Sequence, residues 1–238
     1  MSDRHRNTPN RRAGRPRHVP YAGSAAPREQ ILDVAALLFV RHGFAATSTR
    51  DIADAVGIRQ ASLYYHFSGK DDILAELLNR SVRPTVDNIA KIEHLVPPET
   101  HETALYLLAL VDVGTLEAAP HNVGLLSRLP DVTESPVYEQ FRDARVELAD
   151  GYGRLGASIA RPAIVDLIGQ RRLGEILIQV VDSAINMRSL GESPDGRSSN
   201  AVASTCLRIC GCDDQQISSA ASTATQLFQG FRDESLPG

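Results

Sequence analysis

The chain has 238 residues, of which 42% are hydrophobic and 23% charged, and its formal net charge is -4. This size and composition predict a globular protein with one small and one larger domain. Its longest apolar runs, such as residues 104–111, are far shorter than the roughly 20 residues of a membrane-spanning helix, and no apolar secretory signal follows the basic N-terminus. These features exclude a transmembrane protein, and we expect a cytoplasmic one.

Charge is unevenly distributed along the chain. Residues 1–80 carry 12 Lys/Arg and 8 Asp/Glu, whereas the remainder carries 13 and 21. The N-terminal third is therefore the candidate for binding a polyanion such as nucleic acid. Residues 1–26 show no apolar period and predict a disordered basic arm. Within this arm, Gly14-Arg15-Pro16-Arg17 resembles the core of an AT-hook, so Arg15 and Arg17 are candidates for the DNA minor groove, with a solvated tail as the alternative.

Three short helices are predicted after the arm. The first begins at Pro27, which suits an initial helical position, and ends at Gly43. The second begins at Ser48, because a hydroxyl residue followed three positions later by a carboxylate, here Asp51, is the pattern of a capping box. Gly57 ends this helix and permits a tight turn. The third helix follows over about residues 59–67.

The third helix has two different sides. Leu63 and Phe67 lie four residues apart and are predicted to face inward. The residues on or near the outer side are Gln60, Ala61, Ser62, Tyr64, Tyr65 and His66. A surface so rich in aromatic and amide groups is unusual for one that meets only water. Two short helices joined by a glycine turn predict a helix-turn-helix within residues 48–66.

The rest of the chain predicts helices only. Apolar periodic segments cover roughly residues 70–93, 101–118, 121–129, 135–159, 163–190, 198–210 and 214–231, and Pro or Gly clusters separate them. We therefore predict an all-α protein with three parts. These are the basic arm at 1–26, a three-helix DNA-binding domain at 27–70 and a larger helical domain at 71–238.

The segment from Phe39 to Leu74 closely resembles the DNA-binding segment of the TetR family of bacterial regulators. The resemblance rests on many positions in one register: Phe39, Gly43, Phe44, Thr49, Ile52, Ala53, Gly57, Leu63, Tyr64, His66, Phe67 and Lys70. It implies a TetR-like fold and a sequence-specific regulator of transcription that binds double-stranded operator DNA. The larger helical domain would then bind an effector and form a homodimer.

The resemblance also implies roles for individual residues. Ser48, Thr49 and Arg50, at the start of the second helix, are expected to contact DNA. Thr49 and Arg50 would lie at phosphates, and Arg50 can also reach a guanine edge. The expected base contacts are Gln60, through two hydrogen bonds to adenine, Ala61 and Ser62. The expected phosphate contacts are Tyr64, Tyr65, His66 and Lys70.

Several of these positions have a structural alternative. In that alternative none of these residues contacts DNA: Tyr64 is a core tyrosine, His66 is a packing residue and Lys70 is a solvated charge. Arg59 departs from the family pattern, in which a small capping hydroxyl is common. It weakens the local cap and adds a cation that would face DNA.

A regulator needs an effector that binds two conformations with different affinity. We expect its pocket among the middle helices, lined by mostly apolar side chains with a few polar anchors. The candidates are Leu105, Tyr106, Leu108, Ala109, Asp112, His121, Leu125, Arg128, Tyr138, Phe141 and Tyr152. Because aromatic residues are few and Trp is absent, a largely apolar, aliphatic or acyl-type effector is favoured over a flat cation.

Two late segments carry apolar stripes that predict a dimer interface. The interface candidates are Leu173, Leu177, Val180 and Val181 in the first segment and Ile217, Ala221, Ala224 and Phe228 in the second. Packing within one chain is the alternative. Dimerisation is expected because one recognition helix reads only a few base pairs.

Cys206, Cys210 and Cys212 predict small buried residues rather than a redox or metal site, since no nearby His completes a zinc set. No cofactor or metal is expected. No nucleophile elbow, phosphate loop or metal-binding helix points to an enzyme. The leading hypothesis is a repressor released by an effector, and the alternatives are an activator of the same fold or a ligand-independent architectural DNA-binding protein.

Overall fold

The computed structural model describes residues 26–190 and 196–235. Its α-helices, in chain order, are α1 (Pro27–His42), α2 (Thr49–Val56), α3 (Gln60–His66), α4 (Lys70–Arg80), α5 (Arg83–Leu95), α6 (His101–Ala118), α7 (Pro130–Thr133), α8 (Val137–Ile159), α9 (Pro162–Ser189), α10 (Gly196–Ile209) and α11 (Asp214–Ser235). Two 3₁₀ helices are Pro98–Thr100 and Pro120–Arg128. These two ranges contain no strand, and the all-α prediction is confirmed. The predictions for the basic arm, including Arg15 and Arg17, lie outside the described residues.

The helix predicted over residues 70–93 is two helices, α4 and α5. Ser81 and Val82 separate them, and Val82 has φ -133° and ψ -42°. Pro84 explains the break, because proline has no N–H for the carbonyl four residues earlier and its ring crowds that carbonyl. Likewise, the segment predicted over 135–159 begins as α8 only at Val137, after the short helix α7.

The 3₁₀ helix Pro120–Arg128 is termed the bridging segment, because it lies between α1 and α9. His121 and Asn122 in this segment have positive φ angles of 51° and 57°, a region that residues other than glycine seldom occupy. The Asn122 amide donates to the Ile185 carbonyl oxygen (2.9 Å) and to the Ser189 hydroxyl (3.0 Å) of α9. Contacts from the surrounding helices therefore hold a backbone conformation that costs about 1–3 kcal/mol per residue.

α6 is the central helix of the larger helical part. Every residue from Thr103 to Val113 is buried, because α5, α8, α9, α10 and α11 all pack against it. α8 and α9 also cross at unusually close range. A Cβ added at Gly153 would lie 2.8 Å from the Gln170 carbonyl oxygen, and a Cβ added at Gly174 would lie 2.8 Å from the Gly153 backbone nitrogen. Glycine is therefore required on both sides of this crossing.

Within the described ranges, no single helix has both the length and the apolar character to cross a membrane. The stretch Pro98–Ala118 and the bridging segment meet that test only jointly, as a pair bent by 106°.

Candidate nucleic-acid interface

α2 begins with the capping box that the sequence predicted. Ser48 Oγ accepts a hydrogen bond from the Asp51 backbone N–H (3.2 Å), while Asp51 Oδ2 accepts from the Ser48 backbone N–H (2.9 Å) and from Ser48 Oγ (2.6 Å). The Ser48 side-chain bond is the main cause that holds the pKa of Asp51 below its usual value. Ser48 thus serves to start α2, and its contact with DNA stays a prediction.

A tight turn joins α2 to α3. Gly57 adopts the left-handed conformation at φ 84°, which glycine enters without steric cost. The backbone N–H groups of Gly57 and Ile58 both donate to the Ala53 carbonyl oxygen, each at 3.0 Å. Arg59 caps α3 without a side-chain hydrogen bond, and its side chain is exposed. The turn therefore fixes how α3 projects from the domain.

α3 buries one side and exposes the other. Leu63 and Phe67 are 0% and 2% exposed, whereas Tyr64 is 50% and Tyr65 86% exposed. The core alternative for Tyr64 is therefore wrong. The remaining exposed residues of the outer side are Gln60, Ala61 and Ser62. Two exposed tyrosines beside an amide and a hydroxyl form a surface suited to another molecule rather than to water.

Three of these exposed side chains are hydrogen-bonded across the two helices. Gln60 Nε2 lies 3.0 Å from Thr49 Oγ1 and 3.5 Å from the Tyr64 hydroxyl. Thr49 Oγ1 lies 3.2 Å from the Tyr64 hydroxyl. This Thr49–Gln60–Tyr64 cluster links the start of α2 to the outer side of α3.

Lys70 makes contacts within the protein that were not predicted. Its Nζ donates to the carbonyl oxygens of Phe44 (3.0 Å), Ala45 (3.3 Å) and Thr47 (3.2 Å), and it lies 4.5 Å from the centre of the Phe44 ring. An ammonium has three N–H donors, so all of them are used inside the protein. Lys70 therefore stabilises the loop between α1 and α2, and its predicted phosphate contact stays a prediction.

The other cationic candidates remain accessible. The Arg50 guanidinium lies 3.9 Å from the Asp54 carboxylate, and both side chains are more than half exposed, so this pair is weak. His66 is partly buried, and its ring meets the Tyr65 ring edge-on at 5.1 Å between centres. The phosphate contacts of Arg50 and His66 stay predictions.

Sequence reasoning missed two basic residues near this surface. Arg41 and His42 form the basic last turn of α1 and are exposed. The Ser48 hydrogen bonds lower the pKa of Asp51 most, and the charge of His42 also contributes. His42 therefore lies near the start of α2. Their position in the last turn of a helix that ends beside the helix-turn-helix was the available signal.

α1 and α4 are tied together by an ion-pair network. The Arg80 guanidinium contacts both Glu29 carboxylate oxygens at 2.7 and 3.0 Å and Glu76 Oε1 at 2.8 Å. Arg28 contacts Glu76 Oε1 at 3.2 Å and lies 4.7 Å from the centre of the Phe67 ring. These contacts join the helix-turn-helix to α4 as one packed unit.

The bridging segment and α7 contact the DNA-binding part directly. His121, predicted to line the effector pocket, instead lies with Nε2 at 3.0 Å from Asp33 Oδ1 of α1. Asp131 Oδ2 accepts a hydrogen bond from the Ala45 backbone N–H at 2.7 Å, in the loop before α2. Two polar contacts therefore connect the larger helical part to the part that holds α3.

The predicted pocket residues Asp112 and Tyr152 meet in the core. Asp112 is 2% exposed and accepts hydrogen bonds from the Tyr152 hydroxyl (3.0 Å) and from the Thr85 hydroxyl (3.2 Å). Burial raises the pKa of Asp112 to about 6 and holds the pKa of Tyr152 well above its usual value. Nearby, the Arg145 guanidinium contacts both Asp182 carboxylate oxygens at 3.0 and 2.6 Å.

Sequence reasoning missed Thr85, Arg145 and Asp182. Asp182 offered a signal, because it interrupts an apolar run in α9 and a buried carboxylate needs a partner. Arg145 offered none, since it stands among other charged residues of α8.

The other predicted pocket residues differ in burial and in the helices that they contact. Those packed in the core are Leu105, Tyr106, Leu108, Ala109 and Phe141, while Leu125 and Tyr138 are partly buried. Arg128 instead faces α9, where it donates to Asn186 Oδ1 (2.5 Å) and to the Asp182 carbonyl oxygen (3.2 Å). Most of the set therefore lies on α6 and α8, which pack against each other, whereas His121 and Arg128 contact α1 and α9.

Most of the predicted dimer residues pack within their own chain. The buried ones are Leu173, Leu177, Val181, Ile217 and Ala224, each 6% exposed or less. A partner chain cannot reach these side chains, so assigning them to the interface is wrong. Those that keep exposed surface are Val180, Ala221 and Phe228. Val180 lies on the outer side of α9 beside Ile176, Arg172, Glu175 and Gln179.

The cysteines are buried and reduced. Cys206, Cys210 and Cys212 are at most 8% exposed, and none is in a disulfide. Burial raises the pKa of Cys206 and Cys210 to about 12. Their thiols are therefore neutral near pH 7, which agrees with the predicted packing role.

Comparisons with known proteins agree with this geometry. Residues 31–77 match the family model described as "Bacterial regulatory proteins, tetR family". The transcriptional repressor KstR2 of Rhodococcus jostii (strain RHA1) is 47% identical over 57 residues, which cover 24% of this chain and 28% of that protein. The transcriptional regulator AcrR of Shigella flexneri is 38% identical over 66 residues, covering 28% and 29%. The chain thus matches less than a third of the length of these curated relatives.

A solved structure extends the similarity over nearly the whole chain. AmtR of Mycobacterium smegmatis is 33% identical with a TM-score of 0.74, and the match covers 87% of this chain and 98% of AmtR. The structure of the ketosteroid transcriptional regulator KstR2 of Mycobacterium tuberculosis is 20% identical with a TM-score of 0.57 and shares the fold.

Proposed function

Because the chain belongs to the tetR family of bacterial regulatory proteins, we propose that it represses transcription as a dimer and leaves its operator when a small molecule binds. As a member of this family it is a DNA-binding regulator of transcription. The observation that carries the proposal is the exposed outer side of α3, where the aromatic side chain of Tyr65 is 86% exposed. A tyrosine so placed on a helix-turn-helix suits contact with DNA.

In this proposal α3 enters the major groove. Gln60, Ala61 and Ser62 contact base edges, while Thr49 and Tyr65 contact phosphates on either side. Arg50, Arg59, Tyr64 and His66 add further contacts to the backbone. Phosphate contacts fix the position of the protein on the duplex, and the base contacts provide its sequence preference.

Selection of bound duplexes from a random pool tests the DNA-binding role and supplies the operator. Gln60→Ala should lower the ratio of operator affinity to random-DNA affinity about tenfold, because a lost base contact is worth roughly 1–3 kcal/mol. The matched control is Glu139→Ala, an exposed position on α8, which should leave the ratio unchanged. Equal losses of both affinities in Gln60→Ala would contradict the base contact.

The dimer interface is proposed on the exposed side of α9. Ile176 and Val180 present partly exposed apolar surface beside Arg172 and Glu175, whose side chains lie 3.5 Å apart as an ion pair, and two copies related by a two-fold axis can pair this apolar surface. Val180→Asp should shift sedimentation from dimer to monomer and lower affinity for a full operator more than for a half-site. The control Gln140→Asp introduces the same charge at an exposed position of α8 and should remain dimeric.

Effector binding is proposed beside α6, at a site lined by the buried candidates around Leu105, Leu108 and Tyr152. These side chains are fully packed, so an effector must open the packing between α6 and its neighbours. The apolar lining favours a largely apolar compound, with Asp112 and Arg145 as polar anchors. Movement of these helices would reach α1 through the contacts of His121 and Asp131 with Asp33 and Ala45.

A titration of operator DNA with and without compounds tests this regulation. Compounds that raise the melting temperature of the protein are identified first, and each is then added to the protein–DNA complex. At least one should weaken operator binding, and Asp131→Ala should reduce that response while the compound still binds. If no stabilising compound changes operator affinity, the protein is instead a ligand-independent DNA-binding protein.

A further inference from the structure

The Thr49–Gln60–Tyr64 cluster holds the side chain that is proposed to contact a base. The three residues are hydrogen-bonded at 3.0, 3.2 and 3.5 Å on the outer surface of the domain. Gln60 and Tyr64 are exposed, and Thr49 is partly exposed. An exposed glutamine normally samples several rotamers, and fixing one of them costs side-chain entropy. Here the neighbouring hydroxyls restrict that freedom before DNA is present.

In this arrangement the Nε2 end of the amide faces the cluster and the Oε1 end is left for a ligand. A glutamine amide has two N–H donors on Nε2 and an acceptor on Oε1. Nε2 is directed to the hydroxyl oxygens of Thr49 and Tyr64. Oε1 has no hydrogen bond to another described residue. The group presented to a ligand is therefore an acceptor.

An acceptor distinguishes bases by their exocyclic amino groups. In the major groove adenine presents the N6 amino group and cytosine the N4 amino group, whereas guanine and thymine present O6 and O4 acceptors at the corresponding place. A free glutamine can bond adenine with both ends of its amide. A glutamine that directs its two Nε2 hydrogens to Thr49 and Tyr64 has none directed to adenine N7.

We propose that Thr49 and Tyr64 orient Gln60 so that Oε1 selects an adenine or cytosine amino group, which makes Thr49 a positioning residue for sequence preference. This inference rests on the proposed base contact of Gln60. It replaces the two-bond contact to adenine expected from the sequence by a single accepted hydrogen bond. It also gives Thr49 an effect on specificity in addition to its proposed phosphate contact.

The test is a random-pool selection with the full chain, followed by affinity measurements on duplexes that differ at one position. Gln60→Ala first identifies the position whose preference depends on Gln60. The wild-type protein should select A or C there over G or T by about tenfold, as one hydrogen bond of roughly 1.4 kcal/mol provides.

Three variants then separate orientation from contact. Thr49→Val keeps the shape of the side chain but removes its hydroxyl. The preference for A or C over G or T at this position should therefore fall to about threefold or less. Thr49→Ser retains a hydroxyl and should keep the preference of the wild-type protein. Gln60→Glu keeps an outward acceptor and should still prefer A and C, although its charge lowers affinity for all sequences. Ratios are compared, because a lost phosphate contact weakens all duplexes alike.

Each outcome bears on a definite part of the proposal. A preference for G or T, or an unchanged ratio in Thr49→Val, overturns the orienting role while the base contact of Gln60 stands. If Gln60→Ala alters no position of the operator, the base contact itself is wrong and the orienting role falls with it. Unchanged melting temperatures exclude misfolding as the cause.

Discussion

The crossing of α8 and α9 predicts that adding one methyl group at Gly174 destabilises the protein. A Cβ there would overlap the Ala149 carbonyl oxygen and lie 2.8 Å from the Gly153 nitrogen and 3.0 Å from its Cα. All three neighbours are backbone atoms, which cannot turn aside as a flexible side chain can. The two helices would have to separate along a region that carries Asp182, Leu173 and Leu177.

The size of the effect follows from two opposing terms. Replacing glycine by alanine inside a helix stabilises it by about 1 kcal/mol, whereas overpacking against a rigid neighbour costs about 3 kcal/mol. Gly174→Ala should therefore lose about 2 kcal/mol, which corresponds to a fall of roughly 4–8 °C in melting temperature for a chain of this length.

A matched substitution should have the opposite sign. Gly230 lies in α11, and a Cβ added there meets nothing within 4 Å. Gly230→Ala should therefore stabilise the protein by up to about 1 kcal/mol. Both variants are compared with the wild type by thermal and urea unfolding at one protein concentration. If Gly174→Ala melts at or above the wild-type temperature, the two helices are not held at the distance described.

Further predictions concern the buried polar and thiol groups. Burial raises the pKa of Asp112 from 3.8 to about 6, so the folded wild-type protein binds a proton more tightly than the unfolded chain and loses stability as the pH rises from about 4 to 6. Asp112→Asn has no carboxyl group that can lose a proton between about pH 4 and 6. Its free energy of unfolding relative to the wild type should therefore increase over this pH range by on the order of 3 kcal/mol. A difference that does not change with pH would contradict the raised pKa of Asp112. Arg145→Ala should cost about 3–5 kcal/mol in urea unfolding because it leaves the Asp182 carboxylate unpaired, while the double variant Arg145→Met, Asp182→Leu should lose much less. Iodoacetamide at pH 8 should leave Cys206 and Cys210 unmodified in the folded protein and alkylate both in urea, as mass spectrometry can show; rapid labelling of the folded chain would refute their burial.

The parts of the site that the sequence predicted correctly depend on short-range signals. The capping box joins Ser48 to a residue three positions away, and the inward side of α3 follows from the four-residue spacing of Leu63 and Phe67. The tight turn follows from the conformational freedom of Gly57. Each inference needs only neighbouring residues, so no knowledge of tertiary packing is required.

The contacts that the sequence did not predict concern residues whose partners are distant in sequence. Lys70 meets carbonyl groups of residues 44–47, and His121 meets Asp33 across 88 positions. The stripe containing Leu173 and Leu177 is apolar because these residues face α8, and an apolar stripe does not reveal whether its partner belongs to the same chain. Pattern alone identifies a buried side of a helix but not what covers it.

The contacts of Lys70 and the Arg80 network have a mechanical consequence. They join the first four helices into one block, because Lys70 joins α4 to the loop before α2 and Arg80 joins α4 to α1. A signal arriving through His121 or Asp131 would therefore rotate this block as a whole instead of reshaping α3. In the proposed dimer, the variable under control is then the separation between the two recognition helices, about 34–36 Å when they match successive turns of B-DNA. Inserting or deleting base pairs at the centre of the operator would thus imitate the action of the effector without any change in the half-sites.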